Sequence, residues 1–390
     1  MKVYFGVCGL GLGHIGRIIP VARIFREEGN EVLFSTYLEG VDYVRRENFP
    51  LVAAPPINLT VKSDGSVDFK GTAAESGMFS LHIFLKQVLS EIRFMKSFKP
   101  DVVVSDSRAS SILAAKMLSI PEVTLLNQYQ VIIPREKRFL RLARIGDASL
   151  LGMIGEVWGM GNSVLILDFP KPYTVSLYNL RIPPRMKKKA KIVGPIVEVR
   201  PESLPSKDEI KEMLGLSGDP LIFVPMSGPV KEKSYLIGML REITRRFPEK
   251  YDVLMSLGYP NSKREPIRNG KAVIYPWLSH RFEVLKACDL VIARAGHGTI
   301  VQSMYYGKPL ILIPTPNQTE QSNNARRAEE LGIAKVIPQR DVSYSNLLSS
   351  VYEILEKDSY VERAERIQKE VLAYDGIESV LETITSLAKG

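Results

Sequence analysis

The stretch that decides the fold is Asp289-Leu-Val-Ile-Ala-Arg-Ala-Gly-His-Gly-Thr299, followed further on by Pro314-Thr-Pro-Asn-Gln-Thr-Glu-Gln-Ser-Asn-Asn324. It reads as a buried strand, a tight glycine turn and a helix start, then a second apolar strand ending in prolines and a second helix start. Strands that pass directly into helices belong to a parallel sheet covered on both faces. Two helix N-termini thereby lie side by side at the carboxyl edge of the sheet. Their unpaired N–H groups and positive dipole ends suit a diphosphate. The polar run 317–324 adds side chains able to grip sugar hydroxyls, which outlines a nucleotide-sugar site.

The same alternation extends in both directions. Strands are expected at 2–8, 31–35, 101–106, 123–126 and 164–167, with helices over 15–29 and 109–118. Gly194, Pro195 and Pro201 interrupt the pattern near 191–202 and mark a linker. A second series follows, with strands at 220–226, 252–256, 271–275, 290–293 and 309–313, a helix over 233–247, and a helical tail from 344 to 388. The expected fold is α/β, with two doubly wound Rossmann-like domains facing across a cleft: residues 1–195 and 196–375, the final helix near 376–388 packing back on the first. Ligands in such sheets sit at the carboxyl ends of the strands, so two facing halves define one cleft.

A chain of 390 residues is long for one core, which supports two domains. No apolar run reaches spanning length, and the start, Met1-Lys-Val-Tyr-Phe-Gly-Val, reads as a strand rather than a signal peptide. Cys8 and Cys288 stand in apolar contexts and fit buried thiols in a reducing cytoplasm. The net charge of +9 is lopsided: residues 1–195 hold 26 Lys and Arg against 17 Asp and Glu, whereas the remainder is balanced. Such a field favours an anionic partner, or serves solubility alone.

Cys8-Gly-Leu-Gly-Leu-Gly-His-Ile15 follows the first strand. Its glycines recur at intervals of two, and Thr36-Tyr37 stand where a dinucleotide site wants an acid, so a dehydrogenase fits poorly. The turn instead admits a substrate close to backbone at Gly13. His14 reads as a general base or as a helix-capping residue. Asp106, ending its strand, either orients His14 or caps the helix that follows.

The motif Ala293-Arg-Ala-Gly-His-Gly-Thr299, with Pro309-Leu-Ile-Leu-Ile-Pro314, Glu320-Gln321 and Asn324-Ala325, resembles the C-terminal signature of the GT-B glycosyltransferases. The nearest branch resembles the bacterial lipid-intermediate N-acetylglucosaminyltransferases and their archaeal and eukaryotic dolichyl-diphosphate relatives. The resemblance implies that Ser227 and Gly228 touch the diphosphate, that Tyr275, Pro276 and Trp277 frame the base, mainly through backbone, and that Arg294, Ala295, Gly296, His297, Gly298 and Thr299 hold the phosphates. It implies that Glu320 and Gln321 read sugar hydroxyls and that His14 deprotonates the acceptor. Gln302 departs from the family, which usually has Glu there for the ribose.

No Asp-x-Asp pair occurs in the sequence, so helix dipoles, Arg294 and His297 are expected to offset the leaving diphosphate without a metal or other cofactor. The alternative for His297 is a plain turn residue. The expected reaction is inverting transfer of a sugar, N-acetylglucosamine by resemblance, from a UDP-sugar to a polyprenyl- or dolichyl-diphosphate-linked acceptor. Residues 79–99, 135–144 and 150–160 are apolar and basic. They read either as a surface that rests on an anionic membrane, peripheral on its cytoplasmic face, or as ordinary amphipathic helices. Nucleic acid is not an expected partner. The same fold also hosts nucleotide-sugar 2-epimerases, transferases on other acceptors and non-catalytic nucleotide-sugar-binding subunits.

Overall fold

The computed structural model describes residues 1–57, 61–66, 69–129, 155–216 and 220–389. Seven strands form the first sheet: β1 (Lys2–Val7), β2 (Glu31–Thr36), β3 (Leu51–Ala53), β4 (Val102–Asp106), β5 (Glu122–Leu126), β6 (Ser163–Ile166) and β7 (Ala190–Ile192). They run parallel in the order β3-β2-β1-β4-β5-β6-β7. The central strands are apolar on both faces, as in the fully buried Val102-Val103-Val104 run, because helices cover both sides. Those helices include α1 (Gly13–Glu27), α2 (Glu39–Arg46), α3 (Phe69–Phe98) and α4 (Ala109–Met117).

The second sheet contains β8 (Leu221–Pro225), β9 (Asp252–Ser256), β10 (Ile267–Asn269), β11 (Ala272–Tyr275), β12 (Leu290–Ala293), β13 (Leu310–Leu312) and β14 (Ala334–Val336), in the order β10-β11-β9-β8-β12-β13-β14. Its strands are parallel except for the edge strand β10. Its helices are α5 (Lys207–Met213), α6 (Val230–Thr244), α7 (Arg281–Ala287), α8 (His297–Tyr305), α9 (Thr319–Glu330), α10 (Tyr344–Glu356) and α11 (Asp358–Val371). The last helix, α12 (Gly376–Lys389), returns to the first sheet, where Val380 and Ile384 join the core of β1, β4 and α1.

Four short strands differ from the sequence expectation. β3, β7, β10 and β14 are three residues each, too brief for an alternating pattern, and β7 takes up the start of the expected linker. The boundary is also less sharp in space than in sequence. Phe169 and Val175, which follow β6, pack into the core of the second sheet. Residues 135–144 and 150–154 of the expected basic apolar surface lie outside the described residues.

The chain crosses between the lobes twice at one point. Gly194, at φ +94°, would place a Cβ 3.0 Å from that of Tyr374, and Gly376 N donates to Pro195 O at 3.1 Å. Only a residue without a side chain lets the two segments pass this closely.

Candidate active site

In each sheet the strand order reverses beside its first strand, between β1 and β4 and between β8 and β12. Crevices at such points bind ligands at the carboxyl strand ends. Here the two crevices face one another and share a cleft of about 290 Å³. Helices α1, α6, α8 and α9 all begin at its wall, and the residues at their N-caps, Leu12, Pro229, Gly296 and Gln318, make no side-chain cap. Away from it, α5 and α10 are capped by Ser206 and Ser343. Four helix N-termini whose N-cap residues make no side-chain cap thus meet at one cleft, which suits an anion.

The glycine turns of the two lobes nearly touch. A Cβ on Gly11, at φ +70°, would lie 3.1 Å from Gly228 Cα. The Glu39 carboxylate bridges the two turns, accepting from Gly11 N at 3.4 Å and from Val230 N at 3.2 Å.

On the first lobe, His14 Nδ1 lies 2.8 Å from Asp106 Oδ1. Asp106 is fully buried and His14 partly open to the cleft. An ionised carboxylate only accepts, so it favours a proton on Nδ1, although the donor Arg17 Nη2 also lies 3.1 Å from that nitrogen. Arg17, one turn along α1, grips the same carboxylate through Nε at 2.6 Å and Nη2 at 2.5 Å. Burial alone would raise the Asp106 pKa, but Arg17 and then His14 hold it down at about 2. Asp106 thus orients His14 and makes no cap on α4, whose N-cap is Arg108.

On the second lobe, Ser227, Gly228, Gly296, His297, Gly298, Thr299, Gln302, Glu320 and Gln321 line the cleft, as do Gly13 and Trp277. Gln321 Oε1 accepts from Thr315 N at 2.8 Å, which shapes the turn before α9. Glu320 is held from the opposite lobe by Asn127 at 3.0 Å and Gln128 at 3.1 Å. Trp277 also packs edge-on against Tyr43 of the first lobe, with ring centroids 5.3 Å apart.

Four of the residues expected to hold the donor do not line the cleft. Arg294 is buried behind the cleft wall, donating to Ile313 O at 3.2 Å and Glu232 O at 3.3 Å, and Ala295 is wholly buried. Tyr275 and Pro276 also stand back, their carbonyls taken by Leu257 N and Tyr259 N. These positions end or follow β11 and β12, and the polar contacts of Arg294, Tyr275 and Pro276 go to neighbouring backbone.

Sequence reasoning missed Arg17, Asn127, Asp168 and Glu232. Arg17 was available from its three-residue spacing to His14 on a helix. Asn127 and Asp168 could have been found by applying the strand-end rule to β5 and β6. Glu232 carries no such signal: it lies within the first turn of α6, 4% exposed, and burial pushes its carboxyl up to about 7. Among the described residues, no group of three or more His, Cys, Asp or Glu is placed to hold a metal ion, and no helix is long and apolar enough to cross a membrane.

Comparison with known proteins gives the family and the fold. Residues 1–212 match the glycosyl transferase family 1 model, and residues 230–380 match the glycosyltransferase family 28 C-terminal domain. An uncharacterized glycosyltransferase of Methanosarcina mazei is 27% identical, with 98% of each chain covered. A Lactobacillus helveticus protein named UDP-N-acetylglucosamine–N-acetylmuramyl-(pentapeptide) pyrophosphoryl-undecaprenol N-acetylglucosamine transferase is 24% identical, with 100% of each covered. Among solved structures, the spinosyn rhamnosyltransferase SpnG superposes with a TM-score of 0.68 at 14% identity, covering 99% of this chain and 100% of its own.

Proposed function

Because this chain belongs to the GT-B glycosyltransferases, with a family 1 N-terminal region and a family 28 C-terminal domain, we propose that it moves N-acetylglucosamine from UDP-N-acetylglucosamine to a polyprenyl- or dolichyl-diphosphate-linked sugar. The observation that carries this reading is the cleft itself: an oriented histidine on one wall faces the N-termini of α6, α8 and α9 on the other. His14 Nε2 takes the acceptor proton. The acceptor oxygen attacks the anomeric carbon from the face opposite the diphosphate, which inverts that carbon. The N-termini of α6 and α8 receive the departing charge without a metal ion. Glu320 and Gln321 read the sugar, and Ser227, Gly228 and Gly296–Thr299 cradle the diphosphate. Buried Arg294 adds its field from behind.

The lipid-linked acceptor is supported by the Lactobacillus relative and by the charge of the first half. Helix α3 turns Leu85 and Leu89, 49% and 58% exposed, outward alongside Lys86, Arg93 and Lys96. In this reading the face rests on the anionic cytoplasmic leaflet, with the enzyme in the cytoplasm and peripheral on the membrane.

The test is transfer of labelled sugar to a lipid-diphosphate-linked sugar, with and without chelator, with the product's anomer identified. Inverted product at an unchanged rate in chelator is expected. Loss of activity in chelator contradicts the metal-free route. Free sugar with an altered C2 and no acceptor product points to a 2-epimerase instead.

A further inference from the structure

Asn127 stands directly after β5, the neighbour of the strand that ends in Asp106, and is 4% exposed in the cleft wall. Its side-chain amide touches both lobes. Oδ1 accepts from Arg17 Nη1 at 3.3 Å, and Nδ2 donates to Glu320 Oε1 at 3.0 Å. A guanidinium has donors and no acceptor, so the amide meets Arg17 only through its oxygen, which turns the nitrogen to Glu320. Gln128 Nε2 donates to the other oxygen, Glu320 Oε2, at 3.1 Å. Two consecutive residues of the first lobe thus fix both oxygens of a side chain in the first turn of α9. Those oxygens retain acceptor capacity for hydroxyl donors in the cleft. The bonds also run on within the first lobe: Arg17 holds Asp106, and Asp106 Oδ1 lies 2.8 Å from His14 Nδ1. One continuous chain of contacts therefore links His14 to Glu320 across the cleft.

We propose that Asn127 is a positioning residue for the donor sugar: with Gln128 it aims the carboxyl oxygens of Glu320 at the sugar's hydroxyls, and through Arg17 it keeps that aim in register with His14. The inference rests on the nucleotide-sugar reading above. Because Asn127 and Glu320 come from different lobes, the sugar reader is complete only when the lobes stand together. A nucleoside diphosphate that has lost its sugar makes no use of it. Gln321 cannot replace the arrangement, since its Oε1 already accepts from Thr315 N within its own lobe.

Calorimetry with UDP-N-acetylglucosamine and with UDP, in the absence of acceptor, separates this role from a structural one, since UDP lacks the sugar. Asn127→Ala is expected to weaken the UDP-sugar by roughly ten-fold, the scale of a lost hydrogen bond to a charged group, and to leave UDP unchanged. In transfer assays the same variant should raise the donor KM and lower kcat. Asn127→Ala combined with Glu320→Ala is expected to bind the UDP-sugar no worse than Glu320→Ala alone, because Asn127 acts through Glu320. Equal losses for both ligands, or additive losses in the double variant, overturn the inference and leave the nucleotide-sugar reading standing. So does unchanged donor binding with a raised acceptor KM, which would assign Asn127 to the acceptor. Should Asn127→Ala fail to fold, Gln128→Ala decides by the same ratio of UDP-sugar to UDP affinity. A wild-type chain that binds UDP but not the UDP-sugar, or neither, overturns the nucleotide-sugar reading and the inference with it.

Discussion

Asp106 Oδ1 stands 2.8 Å from His14 Nδ1, and the same carboxylate is clamped by Arg17. This orients the ring of His14 at the cleft wall. His14→Ala is expected to lower turnover roughly 10²–10⁴-fold, the usual contribution of a general base, with UDP affinity retained. Steady-state rates beside a binding isotherm check this, and near-normal turnover removes His14 from the role.

Asp106 also sets an acid limit on stability. Its folded pKa of about 2 lies below the usual carboxylate value, so the folded state binds fewer protons in that range. The stabilisation is fully present above the unfolded pKa and is lost as pH falls through about 2. Chemical unfolding between these values should show a steeper acid loss in the wild type than in Asp106→Asn. Parallel curves would argue against the clamp.

Glu232 works in the opposite sense. Its carboxyl, raised to about 7 by burial, binds a proton in the folded state where the unfolded chain has released it. Stability therefore falls as pH rises from the ordinary glutamate value through 7, and Glu232→Gln should escape that fall. The variant is expected to gain on the wild type at pH 8, by on the order of 1 kcal/mol, relative to their difference at pH 5. Denaturant midpoints at the two pH values measure it, and a pH-independent difference refutes it.

Arg294 should behave as a structural residue first. Arg294→Met strands the carbonyls of Ile313 and Glu232 and leaves the Glu232 carboxyl without its neighbouring charge. A loss of roughly 2–4 kcal/mol in unfolding free energy is expected. A fully stable variant that has merely lost UDP affinity would place the guanidinium in the cleft after all.

Gly11→Ala tests the approach of the lobes. Alanine is strained at φ +70°, at a cost of about 1–3 kcal/mol, and its Cβ would press on Gly228 at 3.1 Å. A larger radius of gyration in small-angle scattering is expected, with lower kcat/KM. An unchanged scattering curve would mean that the turns do not meet in solution.

Much of this was legible in the sequence because both signals are local. Apolar strands such as 102–104 and 290–293 announce a buried parallel sheet, and a glycine turn after a strand marks a ligand edge. The short edge strands β3, β7, β10 and β14 were not legible, since three residues hold no period. Neither were the cross-lobe partners: Asn127 with Glu320, Asp168 with His297, and Glu39 with Val230 are separated by more than a hundred residues and meet only when two sheets face. Arg294 shows the limit of a motif. It stands at the expected position, but tertiary packing turns its side chain into the wall.

The most direct test of the central claim, that the leaving diphosphate lies between the lobes on the N-termini of α6 and α8, is a crystal structure with UDP bound. The account predicts phosphate oxygens within hydrogen-bonding distance of backbone N–H groups in the Ser227–Gly228 turn and at Gly298–Thr299, with His14 across the cleft. A diphosphate seated outside this cleft, with those N–H groups still facing solvent, would contradict it.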